Sequence, residues 1–208
     1  VEDASRLGLG RILGVVIATV TNNSGDPDGL GRVKVKFPWL SGANESFWAR
    51  IATPMAGNDR GIFFLPEVDD EVLVVFERGD MRFPFIIGAL WNGKDKAPAA
   101  NADGKNNLRV IKSRSGHVIK LNDEKDKETI EIVDSAGRNS VVIDTANDTI
   151  TITSGKDIVL AAPKGTVKLA AKKIEIESSG AAKIKAGEGM DVTGGKTLNV
   201  AGSTVNIN

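Results

Sequence analysis

Only one histidine, His117, occurs in the 208 residues, and there is no cysteine. The chain therefore lacks a thiolate nucleophile, a sulfur ligand for metal and a second imidazole for a multi-histidine site. Ser-His-Asp chemistry would rest on His117 alone, and a structural role at the passage between the two halves of the chain is the simpler reading. Glu67, Asp69, Asp70 and Glu71 are close enough in sequence to gather a divalent cation. The same run reads as a turn leading into the apolar stretch Val72–Phe76. Glu175 and Glu177 lie two residues apart, hence on one face of a strand, a pairing that suggests glycosidase carboxylates. Alternation turns them outward beside lysines, onto a solvated face. Gly187-Glu-Gly189 and Gly194-Gly195 have the composition of phosphate loops without the strand-to-helix context such loops need, so they read as corners. The expectation is a protein that is not an enzyme and holds neither metal nor cofactor.

Composition narrows the classes further. Lys and Arg number 27, as do Asp and Glu, and the net charge is zero. A nucleic-acid binder usually carries a basic excess. Aromatic rings could stack bases, but the region that holds them has no electrostatic funnel, and Phe63, Phe64 and Phe76 sit in apolar runs that read as core. No apolar run approaches the ~20 residues of a membrane-spanning helix. All 7 Phe and 3 Trp fall between Phe37 and Trp91. Two compositions in one chain imply two architectures, one with an aromatic core and one built without large side chains.

The elements that must position these residues follow from the patterning. Short strands are expected at Arg11–Thr21, Arg32–Trp39, Phe47–Ala52, Gly61–Leu65, Glu71–Glu77 and Pro84–Trp91, separated by Gly, Pro, Asn and Asp clusters. Such strands fit a compact barrel or sandwich, and an OB-like barrel suits the size. Residues 94–106 are small and polar and read as a linker. Beyond them, apolar-x-apolar units recur. The second apolar position falls at Leu121, Ile132, Ile143, Ile152, Leu160, Leu169, Ile176, Ile184, Val192, Val200 and Ile207, in steps that settle near eight residues. An eight-residue unit holds one strand of about five residues and a corner. Each such strand offers only two or three aliphatic side chains for burial. Two arrangements are open: three units complete one coil of a single chain, or three chains each supply a wall. Similarity at eight residues, with every unit alike, favours a homotrimer burying aliphatic rows along a common axis. The fold class expected is all-β, an OB-fold barrel followed by a trimeric (triple-stranded) β-helix or prism needle.

Residues 10–93 resemble the OB-fold domain of phage baseplate assembly protein V and of VgrG-like central spike proteins of contractile injection systems. The matching stretches are Gly29-Leu-Gly-Arg-Val-Lys-Val-Lys-Phe37-Pro-Trp39, Phe47-Trp48-Ala-Arg50, Gly61–Glu77, Gly79-Asp80 and Pro84–Gly93. Arg114–Asp123 resembles the family's entry into its trimeric β-helix. The resemblance implies a structural spike, a membrane-piercing needle assembled in the bacterial cytoplasm and carried in a virion tail or a secreted injection particle. It also implies the partners: two further copies of the chain, a baseplate hub protein at the OB end, a PAAR-repeat tip protein at the other end, and transient contact with a target membrane. The large hub region and the inserted lysozyme domain of some relatives find no place in residues 1–9 or in residues 94–106. The alternative from another class is a trimeric β-helical tail fibre or adhesin binding a surface glycan. A polysaccharide-cleaving β-helix, the third reading, would be a monomer.

The organisation expected is an N-terminal arm at 1–9, an OB-fold domain at 10–93, a linker at 94–106 and a trimeric needle at 107–208. The residues expected at the trimer axis are Ile132, Ile143, Ile152, Leu160, Leu169, Ile176, Ile184, Val192 and Val200. Val200, Val205, Ile207 and Asn208 are expected to form a platform for the tip protein, because the C-terminal sequence carries no histidine with which to build a metal-bound tip.

Overall fold

The computed structural model describes residues 11–40 and 45–206. It divides into one unit ending at Lys156 and a second starting at Asp157.

The first unit begins with β1 (Val16–Asn22), β2 (Lys34–Lys36), β3 (Arg50–Ile51), β4 (Ala56–Gly57), β5 (Arg60–Gly61), β6 (Glu71–Phe76), a 3-10 turn at Glu77–Gly79, and β7 (Pro84–Leu90). Five of these strands form one sheet in the order β2-β1-β6-β7-β3. The two ends of that sheet meet: Val33, just before β2, exchanges backbone hydrogen bonds of 3.1 and 2.7 Å with Ala49, just before β3. The sheet is thereby closed into a barrel, which removes its free edges. Alternation decides which side chains face inward. In β6, Val72, Val74 and Phe76 are buried while the residues between them are half-buried. Ala18 and Val20 of β1, Val33, Val35, Phe37, Ala49 and Ile86 complete the core. The Phe37 ring packs 5.6 Å from that of Phe76 and 5.4 Å from that of Trp39.

One expected strand and two expected core residues are not found. The segment at Gly61–Leu65 does not form a strand; the pairing there is the small β4–β5 hairpin, after which residues 62–65 carry no ladder. Ile62 donates its amide to the Met55 carbonyl at 3.1 Å and accepts at its own carbonyl from Thr53 Oγ1 at 2.7 Å. These bonds hold the chain against the hairpin rather than in the sheet. With no sheet beneath them, the rings of Phe63 and Phe64 have no interior to enter and are 77% and 68% exposed. Phe63 lies over Gly31, where a Cβ would meet the ring at 3.1 Å and where φ is +67°. Phe76 is buried, as expected.

A second sheet follows, an antiparallel meander of β8 (Leu108–Lys112), β9 (Val118–Asn122), β10 (Thr129–Val133), β11 (Ser140–Asp144) and β12 (Thr149–Thr153). Carboxylates and amides close its turns. After β10, Asp134 accepts from the amides of Arg138 and Asn139 at 2.8 and 3.1 Å and from Asn139 Nδ2 at 2.8 Å. Those amides, led by that of Asn139, hold its pKa below the ordinary carboxylate value. After β11, Asp144 accepts from Asn147 in the same way.

The second unit carries neither strand nor helix among its described residues. Its turns and bends recur at 163–165, 172, 179–180, 187–188, 195–196 and 203, continuing the eight-residue spacing of the sequence in the backbone.

Candidate functional site

The residue types that could do chemistry are engaged in structure. His117 sits in the turn between β8 and β9, where its amide donates to Ser113 Oγ at 3.0 Å and its carbonyl accepts from the Ser113 amide at 2.9 Å. Its Nδ1 accepts from the Ser135 amide at 3.1 Å, tying this turn to the one after β10. Glu67, Asp69 and Asp70 lie in the turn into β6, and Glu71 is the first residue of that strand. Asp70 accepts from the Glu67 amide at 2.8 Å, and Glu67 pairs with Arg114 through two contacts of 3.0 Å. A shallow groove of about 270 Å³ on the barrel is lined by Arg32, Arg50 and Arg82 with Phe47, Trp48 and Phe83. Its guanidinium groups are matched by carboxylates: Arg32 with Asp26 and Asp28, Arg50 with Glu77, Arg82 with Asp80. The Arg32 side chain holds the Asp26 carboxyl well below the usual range, and Arg82 lowers that of Asp80 to about 2. The groove therefore presents paired charge.

What stands out is one face of the meander. Register places Ile111, Ile119, Ile132, Val141 and Ile152 side by side across the five strands, and Leu121, Ile130, Ile143 and Ile150 in a second row beside them. Because successive side chains in a strand point to opposite faces, both rows lie on the same face. All nine are exposed, Ile132 at 53% and Ile152 at 59%. The opposite face is mixed and half-buried, with Val110, Val118, Val133 and Val142 on it and with Lys120 and Glu131 directly opposite each other and paired at 2.8 Å. A contiguous aliphatic face of this kind marks an interaction surface.

Ile132, Ile143 and Ile152 thus share one surface, but not one row. Antiparallel succession puts Ile132 and Ile152 in line with Ile119 and Val141, while Ile143 lines up with Leu121, Ile130 and Ile150. The first apolar position of each unit belongs to the face as fully as the second, a consequence of period-two alternation. Ile111 of β8 is an addition: Leu108-Arg-Val-Ile-Lys112 breaks the apolar-x-apolar pattern, so only its pairing with Ile119 reveals it. Leu160, Leu169, Ile176, Ile184, Val192 and Val200 lie in the second unit, exposed between 64% at Val192 and 79% at Ile176 and Ile184. Val205 is 47% exposed, while Ile207 and Asn208, like residues 1–9, fall outside the described residues.

The closed barrel matches a known family. Residues 16–91 match the family of the type VI secretion system/phage-baseplate injector OB domain. The resemblance to VgrG-like baseplate spike proteins holds. The chain is 41% identical over 99 residues to the type VI secretion system spike protein VgrG3 of Vibrio cholerae, covering 44% of this chain and 10% of that protein. It is 34% identical over 133 residues to the spike protein VgrG2a of Pseudomonas aeruginosa, covering 61% of this chain and 16% of that protein. It is also 37% identical over 92 residues to the actin cross-linking toxin VgrG1 of Vibrio cholerae, covering 41% of this chain and 8% of that protein. The matches to these curated relatives span a sixth of their length or less. Among the described residues, no helix is long and apolar enough to cross a membrane.

Proposed function

We propose that this chain is the central spike of a contractile injection machine, a mechanical rather than a catalytic part. In this reading residues 10–93 form a collar on the baseplate hub, 94–106 a linker, and 107–208 a needle made by three copies of the chain. The needle ends in a PAAR-repeat tip protein seated on Val200, Val205, Ile207 and Asn208. The observation that carries the reading is the two-row aliphatic face of β8–β12. Those nine side chains have no partner layer within their own sheet, and two further copies would supply one. The names of the relatives, spike proteins of a secretion system, support the same assignment. Burying a Leu, Ile or Val side chain contributes about 1.5–3 kcal/mol, so many such residues from three chains would produce a rod that is stiff and slow to unfold. That suits transmission of sheath force to a target membrane.

The test is the mass of the full chain in solution, alone and with Ile152→Asp or Ile176→Asp. Three copies are expected for the unaltered chain. Either substitution would bring three carboxylates together in an apolar interior and abolish the assembly. A monomer, or a trimer that keeps its resistance to SDS with Asp at both positions, would overturn the proposal.

A further inference from the structure

A barrel that one chain closes can bury its own rings, so large rings left open on its surface call for a reason. Phe47 and Phe83 are 39% and 52% exposed, and neither belongs to the buried core. Both line the shallow groove of about 270 Å³, beside Trp48, Arg32, Arg50 and Arg82. Segments distant in sequence bring them together. Arg32 stands one residue before the Val33–Ala49 bridge, Phe47 and Trp48 lead into β3, and Arg82 and Phe83 lead into β7.

The arginines beside these rings are held in place. Arg32 Nε donates to Asp26 at 3.0 Å and Nη2 is shared between Asp26 and Asp28, with the side chain of Arg32 only 17% exposed. Among the described residues, Arg32 Nη1 makes no hydrogen bond. Arg50 lies 4.3 Å from the centre of the Phe85 ring and 3.8 Å from the Glu77 carboxylate, and it too donates no hydrogen bond among the described residues. Fixed guanidinium groups with N–H donors to spare, next to open ring faces, suit a ligand that is apolar on its faces and rich in hydroxyls at its rim. A pyranose sugar has that form, with C–H groups on its faces and hydroxyls around its edge. Charge selects among sugars. The three arginines pair with four carboxylates, Asp26, Asp28, Glu77 and Asp80. No positive surplus is left to draw in a phosphate or an acidic chain, whereas an uncharged chain loses nothing by that balance. We propose that the groove is a binding site for an uncharged oligosaccharide, its sugar faces laid on Phe47 and Phe83 and its hydroxyls bonded by Arg32 and Arg50. The volume is just below the ~300–1,000 Å³ of sites that enclose a small molecule, so the groove grips a few units of a longer chain. The inference rests on the barrel alone and not on the trimer reading.

The test is calorimetric titration of the full chain with uncharged tetrasaccharides of glucose, galactose, mannose and N-acetylglucosamine. At least one should bind with a dissociation constant of about 1 mM or tighter. Its affinity should be the same at low and high salt, because no ion pair forms with the sugar. Phe83→Ala and Arg50→Gln alter exposed side chains, so the circular dichroism should stay that of the unaltered chain. Each should weaken binding about tenfold, the usual loss at an anchoring contact, and Phe83→Trp should hold the affinity within about threefold. Failure of all these sugars to bind at about 10 mM would overturn the proposal. Binding that is indifferent to both Phe83→Ala and Arg50→Gln would overturn it as well. Tighter binding of a sulfated tetrasaccharide or a single-stranded oligonucleotide than of any uncharged sugar would overturn it too, and would assign the arginines to an anion instead.

Discussion

Between Val16 and Leu90 the chain curls a five-stranded sheet until its ends meet, and Val20, Val35, Val72 and Val74 lose all contact with solvent. Between Leu108 and Thr153 it lays out another five-stranded sheet from much the same residue types, and there the isoleucines remain exposed, from 38% at Ile143 to 70% at Ile150. Strand propensity and alternation are similar in the two regions, so neither explains the difference. Closure does. The Val33–Ala49 bridge turns one face of the first sheet into an interior, whereas the meander is not closed and leaves its isoleucine face exposed. The barrel is a core that one chain completes, and in the proposed needle the meander would be a fraction of one.

The contrast can be broken from the barrel side first. Phe37→Ala removes a ring that is 2% exposed and in contact with Phe76 and Trp39, and should cost about 3–5 kcal/mol of barrel stability. Because every tryptophan lies at or before Trp91, intrinsic fluorescence reads the barrel alone, whereas far-ultraviolet circular dichroism reads both sheets. The fluorescence transition should move to lower denaturant while the remaining dichroic transition stays in place. A joint shift of both signals would show that the regions unfold as one.

Acid should sharpen the distinction more gently. The pKa of Asp80, lowered from 3.8 to about 2 chiefly by Arg82, is depressed in the folded chain, so its contribution is present above pH 3.8 and fades as pH falls toward 2. Barrel stability followed by fluorescence should decline across that window, and Asp80→Asn should flatten the decline. The smallest effect belongs to the mixed face of the meander. Lys120→Ala removes a partly exposed ion pair and should change stability by less than about 1 kcal/mol, far below any substitution on the aliphatic face. A larger loss would mean that the pair is covered by a further layer.

Much of this organisation is legible in the order of the residues. The alternation Glu-Val-Leu-Val-Val-Phe of β6 points Val72, Val74 and Phe76 inward, and the turn formers Asp134-Ser-Ala-Gly137 mark the break between β10 and β11 where the backbone makes it. Ile62-Phe-Phe-Leu65 misleads because four consecutive apolar residues have no phase. Nothing in their order says whether a sheet lies beneath them, and here none does. The second apolar position of each unit gives the face correctly but not the rows, since row membership depends on whether successive strands run antiparallel, which spacing along one chain does not encode. Ile111 escapes notice for a related reason: Val110 beside it blurs the alternation, and only the opposing strand shows which of the two shares the aliphatic face.

The recurrence of bends in the tail also governs how such a chain can change length. The second apolar positions step by nine from Leu160 to Leu169, by seven from Leu169 to Ile176 and by eight from Ile176 to Ile184, so the bends absorb single residues while each apolar-x-apolar unit keeps its form. A residue gained or lost between the two apolar positions of a unit would instead break the alternation of that unit. In the proposed needle, changes of length between Asp157 and Val205 are therefore expected at the bends, and a whole unit gained or lost would change the reach of the rod by one discrete increment.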